Sequence, residues 1–294
     1  MAYKYVNPGY GELLDRAGTT VNDTKINAAN GVAFFNNSDD RSVTFPEPLT
    51  NVWIKLSMER AYVSGIISVT GTGWPTGVRL DENDYIKVIF SGDKKNFTTK
   101  HADRASIDFI MHVRSGVNDG IIEVWMNGDK VAVRLGNCYD GKPFNGVWLK
   151  TESEKNYFFN VIIADYDISH EEVVTARLTE PEGTWKGIGA AQAEASDVNQ
   201  VLTQKIDTDD LEKKILDRSE SICITGVTLS ARDIHFNSDK VNALTGTVND
   251  GKKDVYSSTQ KISGASMVYG MSYIKDMTLD EVKAASFSLK SAKV

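Results

Sequence analysis

Short runs of alternating apolar and polar residues recur between residues 42 and 164. Clear examples are residues 52–56, 107–113 and 157–163, and glycine, asparagine and aspartate cluster between the runs. A period of two is that of a β-strand with one buried face, and no clear helical period appears in this stretch. The pattern is typical of an antiparallel sandwich or barrel.

The best-defined element is a hairpin over residues 121–135. Asn127 and Gly128 can supply the two positive-φ residues of a type I′ turn between two alternating strands. The period of two predicts six side chains on the core face, namely Ile122, Val124, Met126, Val131, Val133 and Leu135. Glu123 and Trp125 then point the other way. Trp125 is either an exposed binding aromatic or part of a second packing layer, and packing is the favoured prediction.

After Trp185 the sequence changes character. Residues 187–195 are small enough for a connector, and residues 197–218 favour helix. Asp197 with Gln200 and Asp209 with Glu212 match the capping-box spacing, which predicts two short helices; a coiled coil that oligomerises the chain is the alternative interpretation.

Short strand-like runs return after residue 221. The prediction for the whole chain is therefore mainly β. An antiparallel two-sheet jelly-roll sandwich is expected in residues 1–185 and a short helical connector in residues 186–220. A small β-rich domain that ends in a short helix is expected in residues 221–294.

A seven-residue pattern appears twice, as DISHEEV at residues 167–173 and as DMTLDEV at residues 276–282. In each copy a hydroxyl residue, Ser169 or Thr278, stands three positions before a glutamate. This spacing suits a capping box, so either hydroxyl can cap a helix. The stretch from residue 221 to the second copy is too short for a second sandwich. We interpret the first copy as the closing segment of the jelly roll and the second as a helix start on the smaller domain, so that the copies mark domain ends.

Four elements of residues 1–185 follow one another in a recognisable order. They are an early strand at residues 52–56, the run 107–113, the hairpin 124–131 with its aromatic-x-Asn-Gly element, and the closing stretch 165–173. This order resembles that of the concanavalin A-like, laminin-G-like jelly-roll family. The resemblance implies a two-sheet sandwich whose loops or concave face bind carbohydrate or protein.

Catalytic signatures are missing from the sequence. The hydrolase branch of the family carries Glu-x-Asp-x-x-Glu on one strand, which supplies the carboxylate pair for retaining chemistry, and this spacing does not occur here. There is no nucleophile elbow, Walker A loop or His-Glu-x-x-His motif. We predict a chain that is not an enzyme and needs no cofactor.

Two loops are candidates for ligand contact. Trp74 stands between glycine and proline in the first loop, where its ring could stack on a sugar. The second loop is predicted to contribute four side chains, which are Tyr139, Asp140, Asn145 and Trp148. The alternative interpretation is that both tryptophans plug the ends of the sandwich core.

Metal and thiol chemistry are weakly indicated. The four histidines are scattered, so no metal site is predicted, and residues 81–84 are interpreted as a solvated acidic loop, with a Ca²⁺ site as the alternative. Cys138 and Cys223 lack the spacing of a metal or redox motif and are predicted to be two buried thiols; a disulfide is the alternative.

The charge pattern argues against two classes of binding partner. The net charge is −7 and no basic stripe occurs, which argues against nucleic acid and anionic membrane as partners. No run reaches the ~18 apolar residues of a membrane span, and the start lacks the apolar stretch of a secretory signal. These features predict a soluble chain that is made in the cytoplasm.

Three functions compete on these observations. The first is a non-catalytic structural or recognition subunit of an extracellular assembly, such as a tail, fibre or capsid-decorating protein of a phage virion that leaves the cell by lysis. Its expected partners are other subunits, further copies of this chain and a cell-surface glycan. The second is a stand-alone carbohydrate-binding or adhesion module, and the third is a polysaccharide hydrolase or lyase.

Overall fold

A computed structural model describes residues 3–7, 40–60, 65–71, 76–80, 85–90, 93–100, 107–151, 156–174, 176–189, 192–215, 222–234, 240–261 and 267–294. These residues form two units, Met1–Val173 and Val174–Val294. The division falls after Val173, whereas the sequence predicted that the first domain extends to Trp185.

The first unit contains twelve described strands. In chain order they are β1 (Lys4–Asn7), β2 (Asp40–Leu49), β3 (Asn51–Arg60), β4 (Gly65–Thr70), β5 (Thr76–Leu80), β6 (Tyr85–Phe90), β7 (Asp93–Lys100), β8 (Ile107–Arg114), β9 (Gly116–Met126), β10 (Asp129–Cys138), β11 (Phe144–Thr151) and β12 (Asn156–Ala164). The 3₁₀ turn Tyr139–Gly141 follows β10 and precedes β11.

These strands form two six-stranded sheets. The order in the first sheet is β1-β12-β3-β8-β9-β10, and the order in the second is β2-β11-β4-β5-β6-β7. Neighbouring strands within each sheet run antiparallel. The unit is an antiparallel two-sheet jelly-roll sandwich, which confirms the predicted fold class.

One apolar core lies between the two sheets. It includes Ile54, Phe109 and Val124 from the first sheet and Ile67 and Val147 from the second, all of them fully buried. Because side chains alternate along a strand, every second residue of β3, β8 and β9 faces this core and the residues between them face the opposite side of the first sheet.

The β9–β10 hairpin forms as predicted at its turn but not along its return strand. Asn127 and Gly128 have φ values of 49° and 87°, as the type I′ turn requires. A bulge between Lys130 and Ala132 then shifts the pairing, so that Ala132 lies opposite Val124. An extra residue on one strand reverses the facing of all residues beyond it.

The predicted core positions on β10 were therefore wrong in two cases. Val133 is 45% exposed and Leu135 is 69% exposed, whereas Ala132 is buried. On β9 the three predicted core residues are buried, namely Ile122, Val124 and Met126.

The second unit is built from shorter elements. In chain order they are β13 (Glu182–Gly183), β14 (Lys186–Gly189), β15 (Gln192–Glu194), β16 (Val201–Lys205), α1 (Thr208–Ile215), β17 (Val227–Ile234), β18 (Ala243–Asn249), β19 (Asp254–Lys261), β20 (Met267–Tyr273), α2 (Leu279–Ala284) and β21 (Ser286–Ala292). Five of the strands form a sheet in the order β13-β16-β21-β18-β19, and β17 pairs with β20.

Two helices were predicted for the connector, and the structure has one of them. Helix α1 is present, and the Asp207 carboxylate accepts hydrogen bonds from the backbone N–H groups of Asp209 and Asp210 at its start. The helix predicted from Asp197 is instead strand β16, because residues 201–205 pair with β21 in the middle of the sheet. Strand pairing therefore overrides the local helix preference.

The two copies of the repeated pattern adopt different structures. At the second copy, Thr278 and Glu281 form the predicted capping box at the start of α2. At the first copy no cap forms, and residues 165–174 contain bends and a turn. There the Ser169 N–H donates to the Asp167 carboxylate at 2.8 Å and the Glu171 N–H donates to the Ile168 carbonyl at 3.0 Å.

Both cysteines are free thiols. Cys138 is buried as predicted, and burial raises the pKa of its thiol to about 12, which leaves it unreactive at neutral pH. Cys223 is exposed, so its predicted burial was wrong. The next residue, Ile224, forms an isolated β-bridge with Met277, and the Cys223 side chain remains exposed.

Candidate functional site

The two predicted ligand loops are placed only in part. Trp74 and the acidic stretch 81–84 lie outside the described residues. Tyr139 is only 3% exposed and belongs to the sandwich core, where its ring lies 5.4 Å from that of Phe144. A Cβ atom on Gly71 would overlap the Tyr139 ring, so glycine is needed there for the ring to fit. Tyr139 therefore fills the core and does not offer its ring to a ligand.

The other predicted residues of the second loop lie nearer the surface. Asp140 is exposed and stabilises the turn, because its carboxylate accepts a hydrogen bond from the Asn137 amide at 2.7 Å. Asn145 is exposed at the start of β11, and Trp148 is half-buried on the side of β11 away from the core. Tyr139 and Trp148 thus lie on opposite sides of the second sheet, and the predicted set does not share one face.

A different surface gathers aromatic and charged side chains. We call it the aromatic face: the side of the first sheet opposite the core, with Asn51 and Trp53 on β3, His112 on β8, Glu123 and Trp125 on β9, and Lys130 on β10. Strand pairing brings these residues together, since Trp53 lies opposite His112, His112 opposite Glu123, and Trp125 opposite Lys130.

The rings of the aromatic face are nearly parallel. The Trp53 and His112 rings are 4.2 Å apart between centroids with an angle of 10°, and the Trp53 and Trp125 rings are 5.7 Å apart with an angle of 22°. The Lys130 ammonium lies 4.7 Å from the centroid of Trp125. Offset stacking and a cation over an indole are both favourable arrangements. Trp125 thus belongs to a second packing layer and remains half-buried.

A chain of hydrogen bonds fixes these rings. The Asn51 amide nitrogen donates to the Asp165 carbonyl at 2.8 Å, so its amide oxygen faces His112 Nε2, also at 2.8 Å. His112 Nδ1 lies 3.0 Å from Glu123 Oε2, and Lys130 Nζ donates to Glu123 Oε1 at 2.8 Å. Both imidazole nitrogens face acceptors, and only the doubly protonated ring donates to both.

Glu123 is the electrostatic centre of this chain. Burial alone raises the pKa of its carboxyl, but hydrogen bonds from His112 and Lys130 outweigh burial and hold the pKa below its ordinary value. Both carboxylate oxygens are engaged, which suits a group that positions its neighbours and not one that transfers a proton. The side chain of Lys130 is 45% exposed, whereas that of Glu123 is only 17% exposed.

One edge of the aromatic face is bounded by residues 165–173, which we call the closing segment. Ile168 is fully buried in a small cluster against which Trp53 packs. Lys55 Nζ donates to the Ser169 carbonyl at 2.9 Å, and Lys4 forms an ion pair with Glu171. The closing segment therefore fixes one side of Trp53 and, through the Asp165 carbonyl, the orientation of Asn51.

Sequence reasoning missed most of this face. The alternation in β9 placed Glu123 and Trp125 opposite the core positions, but no facing was predicted for Trp53. The alternation also did not show that β8 lies between β3 and β9. His112 and Asn51 are 61 positions apart, and only the sheet order brings them together.

Among the described residues, no group of three or more His, Cys, Asp or Glu side chains could hold a metal ion. Within the same part of the chain, no helix has the length and apolar character to cross a membrane.

Comparisons with known proteins give only distant likenesses. No family model matches the chain, and no curated protein matches it. Among solved structures, a tetrameric galectin from the ball sponge Cinachyrella sp. is 10% identical over 44% of this chain and 100% of its own, with a TM-score of 0.35. The Caenorhabditis elegans galectin LEC-6 is 12% identical over 45% of this chain and 94% of its own, with a TM-score of 0.33.

A hydrolase appears beside these lectins. The β-fructofuranosidase of Aspergillus kawachii is 12% identical over 56% of this chain and 28% of its own, with a TM-score of 0.38. All three TM-scores are below 0.5, so these likenesses decide neither an activity nor a ligand. The jelly-roll assignment rests on the strand order itself.

Proposed function

We propose that this chain is a non-catalytic recognition subunit that binds carbohydrate on its aromatic face. The observation that carries the proposal is the pair of indoles, Trp53 and Trp125, held nearly parallel beside a fixed row of polar groups. Carbohydrate sites combine an aromatic surface for the apolar side of a sugar ring with a few placed hydrogen-bonding groups. The aromatic face offers both within one rigid sheet.

Rigidity supports this role. The polar groups are oriented by one another and by a backbone carbonyl, so little side-chain ordering remains to be done when a ligand binds. Glu123 has both carboxylate oxygens engaged, and glycoside hydrolysis needs a free acid and a free base or nucleophile on either side of the bond. The arrangement therefore favours binding over hydrolysis.

A glycan array with the full chain tests the carbohydrate part. Trp125→Ala should weaken binding to any array hit by at least about tenfold, because a central aromatic anchor commonly contributes more than 1.4 kcal/mol. Trp148→Ala is the matched control, since Trp148 is a half-buried tryptophan on the other sheet. A hit that depends on Trp148 and not on Trp125 would move the site to the second sheet, and an array without hits would reject carbohydrate binding.

The assembly is the finer part of the proposal. We infer a virion of a tailed phage, in which the chain is a tail, fibre or capsid-decorating subunit and contacts other subunits and copies of itself. The division into a jelly roll and a smaller β-rich unit supports a modular structural protein. Release by lysis would place such a subunit outside the cell.

Two measurements test the assembly. Light scattering of the full chain should give a trimer or a larger ring, and gold labelling of a tagged copy should mark intact particles in negative-stain images. A protein that is found only as a free monomer would contradict the assembly while leaving the carbohydrate site in place. Release of reducing ends from mixed glycans would contradict the non-catalytic assignment.

A further inference from the structure

Lys130 occupies the surface on which a sugar would stack. Its ammonium lies 4.7 Å from the Trp125 ring centroid and 2.8 Å from Glu123 Oε1. Strand pairing sets this position, since Lys130 lies opposite Trp125 directly before the bulge of β10. The side chain is 45% exposed, so it can leave the ring without disturbing the core.

Trp125 also contacts an aromatic neighbour. The Trp53 ring lies 5.7 Å from it at an angle of 22°. A saccharide ring that stacks on Trp125 where the ammonium now lies must therefore move Lys130 aside. The displaced ammonium loses both its contact with the indole and its ion pair with Glu123.

One carboxylate holds Lys130 at this position. Glu123 is the carboxylate bound to Lys130, and its second oxygen is already bound to His112. When Lys130 moves, Glu123 keeps its contact with His112, and the displaced ammonium faces solvent, where an anionic group can bind it. A neutral sugar offers hydroxyl groups only, while a sugar with a carboxylate or sulfate group offers the charge that the ammonium has lost.

We propose that Lys130 makes the aromatic face selective for saccharides that carry a carboxylate or sulfate group. The inference rests on the proposed carbohydrate function and specifies its ligand class. Both ligands displace the ammonium from the indole, and only the acidic ligand gives it a new ion pair, so a neutral sugar binds up to about fivefold more weakly than its acidic counterpart. The preference falls with salt because the ammonium is exposed.

Matched ligands test this selectivity. Short oligomers of galacturonate and of mannuronate are used as free acids and as methyl esters, and a sulfated chondroitin oligosaccharide is compared with its desulfated form. Each pair keeps the sugar rings and changes the charge. Calorimetric titration of the full chain should give at least one pair in which the acidic form binds about fivefold more tightly.

Three variants assign the preference to Lys130. Lys130→Met keeps the aliphatic stem and removes the charge, so it should bring the two forms of the pair to within about twofold, by weakening the acid and strengthening the ester. Lys130→Arg should keep the preference. Lys142→Met removes an exposed lysine of the same unit and should change neither affinity.

The possible failures are distinct. If neutral sugars bind as well as acidic ones and binding still depends on Trp125, the carbohydrate function stands and the selectivity is rejected. If Lys130→Met keeps the acid preference, the selectivity has another source and the role of Lys130 is rejected. If no saccharide of either class binds, the proposed function and the inference fail together.

Discussion

Residues 167–173 and 276–282 carry one sequence pattern and adopt two structures. In the second copy the Thr278 hydroxyl accepts from the Glu281 N–H at 3.2 Å, while the Thr278 N–H donates to the Glu281 carboxylate at 2.8 Å, and helix α2 follows. In the first copy the Ser169 N–H is bound to the Asp167 carboxylate, and no helix follows in residues 165–174.

The two copies differ in structure because different side chains bind their backbones. In both copies the apolar residue after the aspartate is an anchor, since Ile168 is fully buried and Met277 is 5% exposed. In the first copy, however, Lys55 of β3 binds the Ser169 carbonyl, and Lys4 binds Glu171. The pattern thus supplies an anchor and a potential cap, and the tertiary partners decide whether the cap forms.

Truncating the two anchors, Ile168 and Met277, should give the largest losses in the free energy of unfolding. Ile168→Ala should lower the free energy of unfolding by about 2–5 kcal/mol, and Met277→Ala by a similar amount, because each leaves a cavity in a packed cluster. Chemical denaturation of the full chain measures both. Ile274→Ala is the control at a residue that is 38% exposed, and it should cost much less. Equal losses for Ile168 and Ile274 would contradict the anchoring of the closing segment.

Removing the contact between Lys55 and the Ser169 carbonyl should give the next largest loss of stability. Burial lowers the pKa of Lys55, although Asp108 and Glu171 oppose this effect, and its ammonium is bound to the Ser169 carbonyl. Lys55→Met should cost about 1–3 kcal/mol, since the carbonyl loses a charged donor. Lys142→Met, at an exposed lysine, is the control for loss of charge. Hydrogen exchange should rise in residues 165–173 only, and an unchanged pattern would show that Lys55 does not hold the closing segment.

The sequence predicted the fold better where the pattern is local. The alternation of β3, β8 and β9 and the Asn127–Gly128 turn follow from neighbouring residues, and the structure confirms them. The bulge after Lys130 has no such signal, because Val131, Ala132 and Val133 fit either face of a strand. Likewise, Val201 and Leu202 suit a helix or a strand, and pairing with β21 decides.

The site was harder to predict than the fold. Trp53, His112 and Glu123 come from three strands, and their contact depends on the order β3-β8-β9, which no local pattern encodes. The predicted loop set relied on residues close in sequence, and the fold places Tyr139 in the core and Trp148 on the outer side of the second sheet.

The caps should respond unequally to loss of the hydroxyl. Thr278→Ala should cost about 1 kcal/mol, as is usual for loss of an N-cap, and Thr278→Ser should restore most of it. Ser169→Ala should cost less, because alanine loses the hydroxyl contact with Asp167 but keeps the backbone N–H that donates to the same carboxylate. Thermal unfolding of the full chain compares the three variants. A larger loss for Ser169→Ala than for Thr278→Ala would show that the first copy depends on its hydroxyl after all.

The smallest expected effect is a change in the pKa of two carboxyl groups, those of Glu281 and Asp167. Hydrogen bonds from Thr278 lower the pKa of Glu281, while for Asp167 burial raises the pKa but the bonds from Ser169 and the charges of His170 and His112 outweigh it. A lowered pKa in the folded state means that each group adds stability above its ordinary pKa and loses it as the pH falls through the folded value. Carboxyl carbon shifts followed by NMR should place both midpoints below the ordinary values. Thr278→Ala should raise the pKa of Glu281 alone and Ser169→Ala that of Asp167 alone; a cross effect would mean that the copies are coupled and not independent.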